Sequence, residues 1–273
     1  MKFKNKARYI LLFLVTCMAA SALQIDTINV HSQSMNREIE NIIILPDNYN
    51  QQAQFPVLYL LHGYSGNHKS WLQIHPGLPD LATRYGIIIV CPNGKNSWYW
   101  DSPEKPAMQY ETYVAKELVA YIDNNYKTRK DKKGRAITGL SMGGHGGLWL
   151  GFRHTETFGA CGSTSGGVDI RPFPGNWEMS KSIGSYREHP KRWDEHTVIN
   201  QLHRIQSGAP AIIIDCGTED FFYEVNEKLH KKLLYNQIQH DYITRPGGHD
   251  SSYWKNSIEY QLVFFHLFFT NKK

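Results

Sequence analysis

The segment 139–143 (Gly-Leu-Ser-Met-Gly) places Ser141 between two glycines, after a short apolar run and before a stretch that can form a helix. This pattern is typical of a nucleophile elbow, a tight strand-to-helix turn that exposes a serine oxygen. A side chain at either glycine would crowd the turn. The positive end of the following helix would face an oxyanion formed there. The spacing therefore predicts Ser141 as the nucleophile of an acyl-transfer reaction.

A serine nucleophile needs a histidine that takes its proton and later returns it to the leaving group. Of the 13 histidines, His249 lies late in the chain, just past an apolar run and in a glycine-flanked turn. We therefore expect His249 to be the base. Four other histidines are less suitable, because they lie in an aromatic helical pattern, beside a predicted helix or too near the nucleophile: His266, His230, His240 and His145.

A carboxylate must hold the histidine in the correct tautomer, and the expected chain order is serine, acid, histidine. Three acidic residues follow the apolar run that begins at Ala211: Asp215, Glu219 and Asp220. We prefer Asp220, which lies past a Gly-Thr pair on a loop, to Glu219. Asp215 is expected to belong to the strand end. For one of the two residues Glu219 and Asp220, the alternative is that it caps the N-terminus of the next helix.

Two backbone N–H groups must stabilise the oxyanion. The residue after the nucleophile, Met142, is the expected first donor. The second is expected from the loop that follows the apolar run FPVLYLL, where Tyr64 is our candidate. The alternative is that His62 and Gly63 only form a turn that ends a strand.

Apolar runs alternate with helical periodicity from Phe55 onward, which predicts an α/β fold with a mostly parallel sheet covered by helices on both faces. Predicted strands are Arg37 to Leu45, Phe55 to Leu61, Ile87 to Cys91, Arg135 to Thr138, Phe158 to Ser163, Ala211 to Asp215 and Tyr242 to Arg245. Predicted helices are Tyr110 to Tyr126, Gly143 to Arg153, Tyr223 to Gln237 and Ser252 to Phe269.

Residues 167–208 interrupt this alternation of predicted strands and helices and contain several prolines and tryptophans. A bare loop of this length is unusual in a compact domain, so we expect a small inserted cap over the carboxyl edge of the sheet, an irregular surface excursion being the alternative. Flat aromatic rings suit an acyl or sugar-binding wall. The candidates for such a wall, each with core packing as its alternative, are Trp98, Tyr99, Trp177 and Trp193.

The N-terminus has the pattern of an export signal: a basic start, a short apolar run and an Ala20-Ser21-Ala22 cleavage site. We expect residues 1–22 to be removed and residues 23–273 to form one domain, working in the periplasm or outside the cell. An uncleaved anchor and a lipoprotein attached through Cys17 are the alternatives. The apolar run is too short to span a membrane.

Removal of the signal deletes four positive and no negative charges, so the formal net charge falls from +5 to +1. A nucleic-acid partner is therefore not indicated. Three cysteines remain, Cys91, Cys161 and Cys216, which allow at most one disulfide; three buried thiols is the preferred interpretation. The absence of a C-x-x-C pair argues against a zinc site, and neither a metal nor an organic cofactor is expected.

Five segments together resemble the putative-esterase family of α/β-hydrolases, and the likeness extends over nearly all of the chain that follows the signal. They are LHGYSGN at 61–67 with Trp71, NSWYWDSP at 96–103, GLSMGG at 139–144, DCGTEDF at 215–221 and GGHD at 247–250 with Tyr253 and Trp254. The first segment looks most like the tributyrin-esterase branch. The resemblance implies an α/β-hydrolase fold and a triad of Ser141, Asp220 and His249.

The family includes S-formylglutathione hydrolase, short-chain acyl esterases, feruloyl and acetyl-xylan esterases, and mycolyltransferases of the antigen 85 type. The resemblance thus implies a serine carboxylesterase acting on a small-molecule or oligosaccharide ester, with acetyl or feruloyl groups of plant polysaccharide among the candidate substrates. An acyltransferase, a thioesterase like S-formylglutathione hydrolase, an amidase or peptidase, and a non-catalytic binding protein are the alternatives. The acyl group and the oligomeric state stay open.

Overall fold

The computed structural model of the protein describes residues 24–205 and 208–271. Its centre is an eight-stranded sheet with the strand order β1-β2-β4-β3-β5-β6-β7-β8. β2 runs antiparallel to β1 and β4, and the pairs from β4 through β8 are parallel. The strands are β1 (Gln24–Ser32), β2 (Arg37–Leu45), β3 (Val57–Leu61), β4 (Ile88–Pro92), β5 (Arg135–Gly139), β6 (Ala160–Thr164), β7 (Ala211–Gly217) and β8 (Asp241–Arg245).

Helices cover both faces of this sheet, and the third of them contains a π-helical turn between two α-helical parts. The helices are α1 (Ser70–Ile74), α2 (Leu78–Tyr85), α3 (Tyr110–Thr112, Tyr113–Leu118 and Val119–Asn125), α4 (Met142–Arg153), α5 (Ser180–Ile183), α6 (Pro190–Glu195), α7 (Tyr223–Tyr235) and α8 (Ser251–Phe269). Within the described part of the chain, none of them is long and apolar enough to cross a membrane.

The alternation of side chains along the central strands produces two cores. In β3, Tyr59 and Leu61 belong to the core that α3, α4 and α7 cover, whereas Leu58 and Leu60 belong to the core under α2 and α8. Successive residues of a strand point to opposite faces, so a strand buried on both faces must be apolar throughout. This is why FPVLYLL is a continuous apolar run, and the predicted mostly parallel α/β fold is confirmed.

Two regions differ from the sequence-based expectation. The edge strand β1 was not predicted, because an edge strand with one exposed face carries only a weak apolar pattern; Ile25 is 43% exposed. Helices α1 and α2 were also missed. A signal for α2 exists, since Pro79 lies in its first turn and Gly86 ends it in a left-handed conformation with φ of +61°.

Residues 167–205, the described part of the segment expected to be a cap, form the short helices α5 and α6 and two 3₁₀ turns, Val198–Asn200 and Leu202–Arg204. The segment packs into the larger core through Met179, Ile183 and Trp193. The predicted signal at residues 1–22 lies outside the described residues. Cys91, Cys161 and Cys216 are free and buried, which is the interpretation we preferred.

Candidate active site

Ser141 lies at the turn between β5 and α4 with φ of +56° and ψ of −117°, a strained conformation for a residue with a side chain. The flanking glycines make this turn sterically feasible. A Cβ on Gly139 would lie 2.5 Å from the carbonyl oxygen of Leu61, and one on Gly143 would lie 2.4 Å from the same oxygen. The chain thus forms the predicted elbow, and Ser141 is partly exposed just after β5, at the carboxyl edge of the sheet.

His249 joins the two other predicted residues of the site. Its Nε2 lies 2.9 Å from Oγ of Ser141, and its Nδ1 lies 2.8 Å from Oδ2 of Asp220. A carboxylate only accepts hydrogen bonds, so Nδ1 carries the proton and Nε2 is free to accept the serine hydroxyl. Ser141 and Asp220 lie 108 and 29 positions from His249 in the sequence, yet the three side chains form one hydrogen-bonded chain.

Adjacent parallel strands bring the acid and the base together. Asp220 follows β7 and His249 follows β8, and the carboxyl ends of paired parallel strands meet at one edge of the sheet. Two backbone hydrogen bonds tie the loops to each other, from Thr218 N–H to the carbonyl of Arg245 (2.9 Å) and from Glu219 N–H to that of Gly247 (3.0 Å). The geometry of the imidazole therefore depends on both loops.

The three acidic residues considered for the site have different surroundings. Oδ1 of Asp220 accepts a hydrogen bond from the N–H of Phe222 at 2.8 Å, so this carboxylate also stabilises the turn before α7. Glu219 is exposed. Asp215 is fully buried at the end of β7, where Arg245 and Tyr253 donate to it. Asp220 is thus the one of the three that contacts His249.

The two predicted oxyanion donors come from two different segments of the chain. Met142 is the first residue of α4, where a helix leaves its N–H groups without a partner in the helix. Tyr64 lies in the loop after β3. Among the hydrogen bonds of residues 24–205 and 208–271, neither N–H has an acceptor, so both are available to a ligand.

His62 fixes the loop that carries Tyr64. Its Nδ1 donates to the carbonyl of Gly63 at 2.7 Å, and its Nε2 accepts from the N–H of Gly94 at 2.9 Å. The second bond requires a neutral ring, because a protonated Nε2 cannot accept a hydrogen bond, and burial lowers the pKa of His62 from 6.5 to about 4. The hydroxyl of Tyr99 donates to the carbonyl of His62 at 3.1 Å. Sequence reasoning missed this role of Tyr99.

A cavity of about 360 Å³ opens beside the serine. Its aromatic wall consists of Trp177 and Phe221, stacked with centroids 5.8 Å apart, together with Tyr64 and Trp254. The ring of Phe221, 51% exposed, lies 4.2 Å from that of His249. The cavity suits a flat or small apolar group, and Phe221, missed at the sequence level, follows the acid directly.

Of the four aromatics predicted as a substrate-binding wall, only Trp177 lines this cavity. Trp98, Tyr99 and Trp193 are at most 1% exposed and belong to the larger core. For these three, the structure supports core packing in place of the predicted wall, because a substrate cannot reach their rings. A larger cavity of about 840 Å³, around Glu111 and Arg153, contains none of the predicted site residues.

Buried neutral histidines predict a loss of stability in mild acid. Burial lowers the pKa of His62 to about 4 and that of His145 to about 3, from 6.5. Between pH 6.5 and 4 the unfolded chain therefore binds protons that the folded chain excludes. Each of the two histidines should lower the free energy of unfolding as the pH falls through this window, by at most on the order of 1 kcal/mol per pH unit once the unfolded imidazole is protonated.

Urea unfolding at pH 7, 6 and 5 measures this slope. Replacing His145 by glutamine removes one contribution and should reduce the slope accordingly, whatever its effect on absolute stability. An unfolding free energy that stays constant from pH 6.5 to 5 would contradict the prediction.

In the described part of the chain, no group of three or more His, Cys, Asp or Glu side chains could hold a metal ion.

Most of the chain matches a known protein family. A family model described as Putative esterase matches residues 32–265. The chain belongs to this esterase family. The esterase is 27% identical over 256 residues to an acetyl esterase of Caldicellulosiruptor saccharolyticus, and the match covers 86% of this chain and 96% of that one. The predicted family and the predicted carboxylic ester hydrolysis are thereby confirmed.

Solved structures show the same fold. A ferulic acid esterase superposes with a TM-score of 0.76 at 27% identity, covering 90% of the esterase and 98% of that chain. FphF, a fluorophosphonate-binding serine hydrolase of Staphylococcus aureus, superposes with a TM-score of 0.80 at 21% identity. The superposition covers 89% of the esterase and 98% of FphF. The esterase thus has the α/β-hydrolase fold predicted from its sequence.

Proposed function

We propose that Ser141, His249 and Asp220 are the catalytic triad of this esterase. The observation that carries the proposal is the hydrogen-bonded chain of 2.9 and 2.8 Å between the three side chains. These distances are within the range expected for a nucleophile, a base and the group that orients the base. The strained backbone of Ser141 supports the same role, since such strain clusters at functional sites.

In the proposed reaction, Oγ of Ser141 attacks the acyl carbonyl carbon while Nε2 of His249 takes the hydroxyl proton. The N–H groups of Met142 and Tyr64 stabilise the oxyanion of the tetrahedral intermediate. The intermediate collapses, and His249 returns the proton to the leaving alcohol. Water then attacks the acyl-enzyme by the same steps and releases the acid. Asp220 stabilises the imidazolium at each stage.

We propose that the substrates are short-chain and aromatic acyl esters, including acetyl or feruloyl groups of plant polysaccharide. The stacked rings of Trp177 and Phe221 beside the serine support an aromatic acyl group, since aromatic rings prefer offset stacking. The volume of the cavity, about 360 Å³, is adequate for such a group. The similarity to an acetyl esterase and to a ferulic acid esterase supports the same classes of substrate.

A rate comparison across acetyl, butyryl and feruloyl esters, including acylated xylo-oligosaccharides, tests the substrate proposal. Trp177→Ala should lower kcat/KM for the feruloyl ester by about fivefold more than for the acetyl ester, because one ring contact is worth about 1 kcal/mol. The ratio of the two rates is independent of the folded fraction. Tyr186→Ala, an exposed aromatic in the same segment, should leave the ratio unchanged. An unchanged ratio in Trp177→Ala would refute aromatic acyl binding here.

We also propose that the enzyme works outside the cytoplasm, in the periplasm or secreted. The support is the basic, apolar and Ala20-Ser21-Ala22 pattern of the first 22 residues. N-terminal sequencing of the protein from its native host should begin at Leu23. A sequence that begins at Met1 would overturn the export proposal and leave the catalytic one untouched.

A further inference from the structure

Asp215, which takes no part in the proposed triad, lies fully buried at the end of β7. Arg245 Nη2 donates to its Oδ2 at 2.6 Å, and the hydroxyl of Tyr253 donates to its Oδ1. Both carboxylate oxygens therefore have a partner. A buried charge is tolerated only when it is paired and hydrogen-bonded, so the three side chains form one coupled unit.

The two donors stand on either side of the base. Arg245 ends β8, four residues before His249, and Tyr253 lies in the first turn of α8, four residues after it. A single carboxylate thus holds both ends of the loop 246–250 that carries the imidazole. The side chain of Asp250 also accepts from the N–H of Tyr253 at 3.0 Å, which fixes the start of α8.

Packing around this carboxylate leaves the loop little freedom. The guanidinium of Arg245 lies 5.1 Å from the ring centroid of Tyr253. A Cβ on Gly217 would lie 2.2 Å from the carbonyl oxygen of Gly247, so the acid loop and the base loop are in direct contact. A shift of either end of the loop would therefore move His249 relative to Ser141 and Asp220.

We propose that Asp215, Arg245 and Tyr253 are positioning residues, which hold the imidazole of His249 in line with Ser141 without touching the substrate. The proposal rests on the proposed function. Misplacement of a catalytic group by about 1 Å can cost about 100-fold in rate. The loss should appear in kcat and not in KM, because none of the three side chains lines the cavity beside the serine.

Tyr253→Phe is the sharpest test, because it removes one hydroxyl, changes no charge and keeps the ring that contacts Arg245 and Gly247. We expect kcat for p-nitrophenyl acetate to fall roughly tenfold per active site with KM unchanged. A fluorophosphonate probe should label all the sites, but more slowly. In a His249→Ala background the same substitution should have no further effect, since it acts through the imidazole.

Titration of active sites separates positioning from mere stabilisation of the fold. A fall in the number of titratable sites, with kcat per site within about threefold of the parent, would overturn the inference, because misplacement predicts a larger loss. Tyr235→Phe, the same change at an 87% exposed tyrosine, should behave as the parent. Ser141→Ala is assayed alongside. Activity in that variant refutes the proposed function, whereas an unaffected Tyr253→Phe beside an inactive Ser141→Ala refutes only this inference.

Discussion

Replacing Ser141 by alanine should lower kcat for p-nitrophenyl acetate by about 10⁶-fold, as loss of the nucleophile does in an established serine hydrolase. The reason is geometric, since Oγ of Ser141 is the hydroxyl in hydrogen-bonding distance of Nε2 of His249. Without it, water must attack directly, and only the oxyanion donors and the binding of substrate still contribute.

The assay for this variant needs two readouts. Hydrolysis of p-nitrophenyl acetate gives the rate, and mass spectrometry after fluorophosphonate treatment shows whether residue 141 carries the label. Ser252→Ala, at an exposed position in the first turn of α8, should retain the rate and the label. The fold should be intact in both variants by circular dichroism. Retained turnover in Ser141→Ala would refute the triad.

The second large effect is expected from Asp220→Asn, which should lower kcat by about 10⁴-fold with little change in KM. The carboxylate accepts the Nδ1 proton of His249 at 2.8 Å. An amide nitrogen at that position would donate instead and favour the tautomer with the proton on Nε2. The imidazole could then no longer accept the proton of Ser141.

Glu219→Gln is the matched control, since it makes the same change from carboxylate to amide one residue earlier. Its side chain is exposed and contacts neither His249 nor Ser141, so kcat should stay within about twofold of the parent, as for most surface substitutions. The pH dependence of kcat/KM, measured for Asp220→Asn, Glu219→Gln and the parent, completes the comparison. A loss of rate in Glu219→Gln together with normal rates in Asp220→Asn would reassign the acid.

Much of the site could be predicted because its signals are local. The glycines beside Ser141 report a steric demand of the turn, which the close approach of the carbonyl of Leu61 makes explicit. His249 was recognisable from its glycine-flanked turn, and Asp220 from its place on a loop after a strand. In each case the backbone conformation required particular residue types within a few positions.

Other features carried no local signal. Trp98, Tyr99, Trp177 and Trp193 are all aromatic, yet only Trp177 of the four borders the cavity. An aromatic ring buries well in a core and also suits a ligand wall, so its type does not distinguish the two. The edge strand β1 was missed for a related reason, since its side chains face the core on one side only.

The sequence by itself determined which strands are buried on both faces, where the elbow turns and which side chains could serve as nucleophile, base and acid. Only the tertiary structure decided that Asp220 contacts His249 while Asp215 holds the ends of its loop. The physical reason is that composition and periodicity follow from local backbone geometry, whereas a hydrogen bond between residues far apart in the chain depends on the pairing of β7 with β8.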